Sequence, residues 1–278
     1  MIKKFFLFAA AILVATLGYA IPRAIAQESK TVVLATTTSV QDTGLLDVLL
    51  EKFQAKTGYI VKPIAVGSGQ ALQMGRQGEA DILWVHSPDD EKKFVDEGYG
   101  IERTTFAHND FVLLGPAEDP AKVKGAAKAV DAFKKIAGSG ALFISRGDQS
   151  GTHKKELKIW KAANVEPDKA SYIEAGQGMA ATLNMANEKL AYSLVDRSTY
   201  LSLKKNLKLV ILSEGDDILL NKYSLILANP QKFSKINVAG GRALFDFILS
   251  QDAKAIITDF GRKKFGQQLF FYDYQPKQ

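Results

Sequence analysis

The 278-residue chain contains no cysteine, only three histidines, two tryptophans and eight prolines. Without cysteine there is no disulfide framework, no thiol nucleophile and no residue to carry a lipid at a processing site. His86, His108 and His153 are scattered, and alone they offer no metal-ligand spacing. A strong charge of one sign is also missing. The formal net charge is +6 from 36 basic and 30 acidic residues, and removing Lys3, Lys4 and Arg23 of the first 26 residues leaves 33 against 30. So mild an excess suits an anionic ligand but not a nucleic acid, which needs a concentrated basic stripe. Internal repeats and low-complexity segments are absent as well. Long apolar runs are limited to one, Phe5 to Ala20, which follows Met1-Ile2-Lys3-Lys4 and precedes Ala24-Ile25-Ala26. A basic start, a short apolar stretch and a small-x-small site read as a cleavable signal peptide over residues 1–26. The mature protein is then expected in the periplasm, free of a lipid anchor, with no later segment long enough to span a bilayer.

What is present is a repeated strand–loop–helix pattern. Thr31-Val32-Val33-Leu34 reads as a strand running into Thr36-Thr37-Thr38-Ser39, then a helix with Leu45, Leu46, Leu49, Leu50 and Phe53 on one face. Ile60 to Val66 leads into Gly67-Ser68-Gly69-Gln70 and a second helix, and Asp81 to Val85 leads into a third. Ala141-Leu142-Phe143-Ile144 leads into Ser145 to Thr152 and the helix containing Trp160, and Tyr172-Ile173-Glu174 leads into Ala175-Gly176-Gln177-Gly178. Such alternation is the signature of α/β lobes built on mostly parallel sheets flanked by helices. Two longer extended runs, Phe106–Leu114 and Tyr223–Leu227, read as hinge crossings. They divide the mature chain into a first lobe, 27–108 with 225–278, and a second lobe, 109–224. The aromatic tail Phe270-Phe271-Tyr272 is expected to dock on the first lobe.

In open α/β sheets a ligand sits beyond the carboxyl ends of the strands, where helices begin. Helix N-termini offer unpaired N–H groups and a partial positive charge, so they favour oxyanions. Glycine lets the backbone approach, and Arg146 adds a full charge with a planar fork of donors. Desolvating a dianion costs roughly 20 kcal/mol or more in the Born limit. A cation about 4 Å away at an effective dielectric near 20 returns only about 4 kcal/mol per unit of ligand charge. The remainder must come from aligned hydroxyls and amides contributed by several loops. Asp148 would repel an anion, so it is expected to cap the following helix or to fix the Arg146 guanidinium; facing the ligand, it would favour a protonated oxyanion such as hydrogen phosphate.

Three motifs carry a resemblance: Thr36-Thr37-Thr38-Ser39, Val66-Gly67-Ser68-Gly69-Gln70-Ala71 and Ser145 to His153, with Asn109-Asp110-Phe111-Val112 and Tyr223-Ser224-Leu225-Ile226 as hinge-like runs. In order and content they resemble the periplasmic tungstate-binding proteins of ABC transporters, in the type II solute-binding superfamily. The resemblance implies a two-lobed α/β periplasmic-binding-protein type II fold that closes on tungstate, or molybdate, and delivers it to a permease. Carried onto this sequence, the implied ligand-binding residues are Thr37, Thr38, Ser39, Ser68, Arg146, Ser150, Gly151 and Thr152. It implies no cofactor, no metal site and no catalysis, and a monomer is expected. A related phosphate-binding pattern also has an Arg, Asp, Ser-Gly-Thr loop, so phosphate stays open at this point.

The enzyme alternative is a secreted serine hydrolase using Ser150, because Gly147-Asp148-Gln149-Ser150-Gly151 resembles a nucleophile loop. It would need a base held against Ser150 and a third group orienting that base. Trp84 and Trp160 read as core. Lys154-Lys155 and Lys204-Lys205 read as solvated faces, one of which would suit contact with a permease.

Overall fold

The structure, a computed structural model, describes residues 30–275. The leader expected over residues 1–26 lies outside the described residues.

The first lobe begins with β1 (Thr31–Thr37), α1 (Thr38–Gln41) and α2 (Leu45–Thr57). β1 runs three residues past Leu34, because it pairs with β2 (Ile60–Val66) in parallel as far as Thr37↔Val66. α3 (Ser68–Gln77), β3 (Ile82–Val85) and α4 (Pro88–Asp96) follow. β4 (Gly100–Pro116), 17 residues long, then leaves for the second lobe. There the chain forms α5 (Ala129–Ser139), β5 (Phe143–Ser145), α6 (Gly151–Ala163), β6 (Tyr172–Glu174) and α7 (Met179–Glu188). β7 (Ser193–Asp196), α8 (Arg197–Leu203) and β8 (Leu209–Ser213) complete that lobe. β9 (Leu220–Ala228) returns, and α9 (Val238–Ile248), α10 (Gln251–Asp259), α11 (Arg262–Phe265) and β10 (Phe271–Tyr272) pack on the first lobe. As expected of the tail, Phe270 is fully buried and β10 pairs with β4 beside it.

The sheets are mixed, which corrects the expectation of mostly parallel ones. β1 is parallel to β2 and β3, and β5 is parallel to β6. β9, however, runs antiparallel to β3 and β4, while β7 and β8 run antiparallel to β4. The cause is the pair of crossings. A chain that leaves along β4 and comes back along β9 beside it must lay the two antiparallel, and β4 is long enough to serve as a backbone for strands of both lobes.

Each lobe buries both faces of its sheet, as the period-2 alternation of side chains requires. Val32 and Leu34 of β1 and Ile82 and Trp84 of β3 join the cluster under α2, α9 and α10, while Ala35, Leu83 and Val85 join Leu72 and Phe94 under α3 and α4. In the second lobe Phe111 and Leu113 of β4 face α5 and α6, whereas Val112 and Leu114 face α7. Both tryptophans are core: Trp84 meets Phe106 edge-on at 4.9 Å and Trp160 meets Phe133 at 4.4 Å. No helix among the described residues is long and apolar enough to cross a membrane.

Candidate functional site

Two long helices point their N-termini at the seam between the lobes. α3 starts at Ser68 after β2, and α6 starts at Gly151 after β5. Their loops touch: a Cβ on Gly67 would stand 3.7 Å from Ser150 Cα, and one on Gly69 would stand 3.7 Å from Lys154 Nζ. The β5–α6 loop takes its shape from Gly147, whose φ of +59° suits a residue without a side chain and whose Cα lies against Glu174. Ser150 is the N-cap of α6, its Oγ accepting from His153 N at 3.3 Å. Asp148 is the Arg146 partner: one carboxylate oxygen accepts from the Arg146 guanidinium, the other from Ser150 N at 3.1 Å.

The decisive feature is a set of buried donors left without a partner among the described residues. Ser68 Oγ, Arg146 Nε and Thr152 Oγ1 are buried and have no hydrogen-bond partner among the described residues, and so are Thr36 Oγ1 at the carboxyl end of β1 and Thr199 Oγ1 on α8. A buried hydroxyl or guanidinium N–H left unpaired costs about 1–3 kcal/mol, so several together on facing loops call for a ligand rich in acceptors. Thr37 is also buried, with Oγ1 3.2 Å from Ser39 Oγ, whereas Thr38 is only half-buried at the start of α1.

Sequence reasoning missed the group that joins these loops. His86, at the end of β3, places its ring against Gly151: a Cβ there would lie 2.5 Å from His86 Cε1. Its Nε2 lies 3.4 Å from Ser39 Oγ and its Nδ1 2.8 Å from Asn221 Oδ1. Burial pushes its pKa down to about 4, so the ring is neutral. Asn221 on β9 donates to Asn109 on β4, and Asn109 donates to Asp196 at the end of β7. Burial raises the Asp196 pKa, yet its carboxyl faces donors only: Asn109 Nδ2, Ser198 N, Ser198 Oγ and Thr199 N. That surrounding accommodates the ionised form. The available signal was the hinge-like run starting at Asn109; Asn221 lies two residues before the Tyr223 run, and no local pattern connects either asparagine to His86.

Lys154 and Lys155 are not solvated faces. Near the start of α6, Lys154 reaches across to Asp90 of α4 in the other lobe, while Lys155 turns within its own lobe, its Nζ donating to Ile218 O and Leu220 O, each at 2.9 Å. Burial pulls Lys155 down to about 8. The hydrolase alternative loses its base. His153 Nδ1 accepts from Gln149 N at 3.1 Å and its Nε2 faces Glu174 at 3.7 Å, so the ring does not serve the Ser150 hydroxyl.

Below the loop, Glu156 is buried and accepts from Trp160 Nε1 at 3.1 Å and Tyr172 Oη at 2.7 Å; burial pushes its carboxyl up to about 7. A folded-state pKa above the unfolded value near 4.5 means a contribution present below pH 4.5 and lost as pH rises through about 7. Glu156→Gln keeps the accepting oxygen and never ionises. After discounting for imperfect amide geometry, it should stabilise the fold by about 2 kcal/mol at pH 8 and by almost nothing near pH 4. Urea unfolding at the two pH values tests this, and equal gains at both would refute the assignment.

The sequence comparisons bear on this geometry. The PBP superfamily domain matches residues 24–252. The tungstate-binding protein TupA of Peptoclostridium acidaminophilum is 48% identical over 246 residues, covering 88% of this chain and 86% of that protein. The chain belongs to the PBP superfamily, in the family of tungstate-binding proteins. Solved structures of the family agree with the fold. The tungstate ABC transporter protein of Geobacter sulfurreducens superposes with a TM-score of 0.76 at 45% identity, covering 83% of this chain and 98% of that one. The tungstate-binding protein TupA of Desulfovibrio alaskensis G20 gives 0.77 at 43% identity, covering 88% and 99%.

Proposed function

We propose that this protein captures tungstate, and molybdate as the closest chemical analogue, between lobes 27–108 with 225–278 and 109–224, and hands it as a periplasmic monomer to an ABC permease. The protein acts by binding, not catalysis, as its family does. The observation that carries the reading is the donor set itself. Ser68 Oγ, Arg146 Nε and Thr152 Oγ1 are buried, unpartnered and able to donate, and they belong to loops that open α3 and α6 from opposite lobes. Backbone N–H groups at the starts of those two helices add further donors. Ser150 and Gly151 belong to the α6 loop, while Thr37, Thr38 and Ser39 sit at the β1–α1 junction, which His86 joins to it. A fully deprotonated tetrahedral dianion has only acceptors to offer and matches such a set.

Protonation separates tungstate from phosphate here. Hydrogen phosphate carries a proton and needs an acceptor, but Asp148 is already occupied by Arg146 and Ser150 N. Sulfate has the same charge as tungstate and is distinguished by size, because the larger anion reaches donors on both lobes at once. Calorimetry with tungstate, molybdate, sulfate and phosphate is the test. Tungstate should bind at least about 100-fold more tightly than phosphate, a difference near 3 kcal/mol; phosphate binding as tightly as tungstate would overturn the reading.

A further inference from the structure

One chain of buried hydrogen bonds runs across both hinge strands and connects the two halves of the site. At one end stands Asp196, whose Oδ2 accepts from Asn109 Nδ2 at 2.7 Å. With its amide nitrogen turned to the carboxylate, Asn109 presents Oδ1 to Asn221 Nδ2 at 2.8 Å. Asn221 Nδ2 also reaches Tyr223 Oη at 2.9 Å, which leaves Asn221 Oδ1 facing His86 Nδ1 at 2.8 Å. Each amide can donate only from nitrogen and accept only at oxygen, so a carboxylate at one end sets the direction of every link. Nδ1 of His86 must then carry the proton. A neutral imidazole protonated at Nδ1 has a bare Nε2, and that atom faces Ser39 Oγ at 3.4 Å.

We propose that Asp196 is a positioning residue: acting through Asn109 and Asn221, it holds His86 as the Nδ1–H tautomer, so that His86 Nε2 accepts the hydrogen bond of the Ser39 hydroxyl and removes that hydroxyl from the donors offered to the oxyanion. Ser39 Oγ, its proton engaged, is left as an acceptor for the neighbouring hydroxyls, Tyr223 Oη and Thr37 Oγ1, the latter 3.2 Å away. Thr37 becomes the hydroxyl that chooses between Ser39 and a ligand oxygen. The same links fix the His86 ring beside Gly151, where the lobes meet, and they tie the β1–α1 loop of one lobe to the start of α8 in the other. The role assigned to Ser39 rests on the oxyanion reading above; the direction of the relay does not.

The test is nitrogen-15 NMR of the His86 ring in the full mature chain, with and without tungstate. In the wild type Nδ1 should give the shift of a protonated nitrogen and Nε2 that of an unprotonated one. Asp196→Asn can donate where the carboxylate accepted, which lets both asparagines turn over, so the His86 pattern should invert or become mixed. A merely structural role for Asp196 would leave that pattern unchanged. Ser39→Ala should alter tungstate affinity by less than about threefold, whereas Ser68→Ala, which removes an unpartnered donor, should weaken it at least about tenfold. An Nε2–H tautomer in the wild type, a measurement that needs no variant to fold, would overturn the proposal. So would an unchanged pattern in Asp196→Asn, or a Ser39→Ala loss as large as that of Ser68→Ala. Failure of tungstate to bind while the tautomer pattern holds would overturn the ligand assignment and leave the relay standing.

Discussion

Arg146→Ala is expected to weaken tungstate binding by about three orders of magnitude. The guanidinium is 5% exposed, so its charge acts in a medium where water screens it poorly. At about 4 Å and an effective dielectric near 20, each unit of ligand charge is worth about 4 kcal/mol. Removing one member of a buried, hydrogen-bonded charge pair typically costs about 2–5 kcal/mol, part of it from the charge left behind. Here that charge is Asp148, which would face the dianion without its partner. A loss near 4 kcal/mol corresponds to about 1,000-fold in Kd.

A companion variant separates the two causes. Arg146→Ala with Asp148→Ala removes the stranded carboxylate as well, and should recover about tenfold of the loss while staying well below the wild type. Arg146→Lys keeps the charge but not the planar fork that reaches Asp148 while leaving Nε for the ligand, so it should fall between. Calorimetry on all three variants reads these differences directly. An Arg146→Ala affinity within threefold of wild type would remove the arginine from the site.

The parts of this molecule legible in the chain are those that depend on neighbours in sequence. Apolar spacing at Leu45, Leu46, Leu49 and Phe53 marks a helix because one face must be buried. A glycine- and hydroxyl-rich loop before Ser68 or Gly151 marks a helix start for the same local reason. Strand direction is different. Nothing within Tyr223–Leu227 says that it lies beside β4 and opposes it, so the mixed sheet follows only from the two crossings being adjacent. Lys154 illustrates the same limit, because a lysine in a first helical turn looks solvated until the opposite lobe brings Asp90 to it. His86, Asn109, Asn221 and Asp196 are spread over more than a hundred residues, and each is an ordinary polar residue in its own segment. Their relation exists only in three dimensions.

The second large effect is expected at Gly151, and the reason is not backbone freedom. Gly151 opens α6 at an ordinary negative φ, where any residue fits. What excludes a side chain is His86, whose Cε1 and Nδ1 would lie 2.5 and 2.7 Å from an added Cβ. The ring has little freedom to withdraw, since Nδ1 is bonded to Asn221 and Nε2 faces Ser39. Overpacking against such a fixed group costs about 1–3 kcal/mol for a small addition, and a β-branched valine stands at the upper end. This cost falls on the arrangement in which the two loops touch, and a separated pair of lobes escapes it. Gly151→Val should therefore keep the thermal stability of the ligand-free protein within about 1 kcal/mol while weakening tungstate about 100-fold. A ligand pays for whatever energy its binding-competent form lies above the ground state, so the penalty appears as lost affinity instead of lost folding. X-ray scattering supplies the second reading: tungstate should shrink the radius of gyration of the wild type, and the variant should need far more ligand to show the same change. A variant that binds within twofold of wild type and contracts at the same tungstate concentration would show that the lobes close without the His86–Gly151 contact.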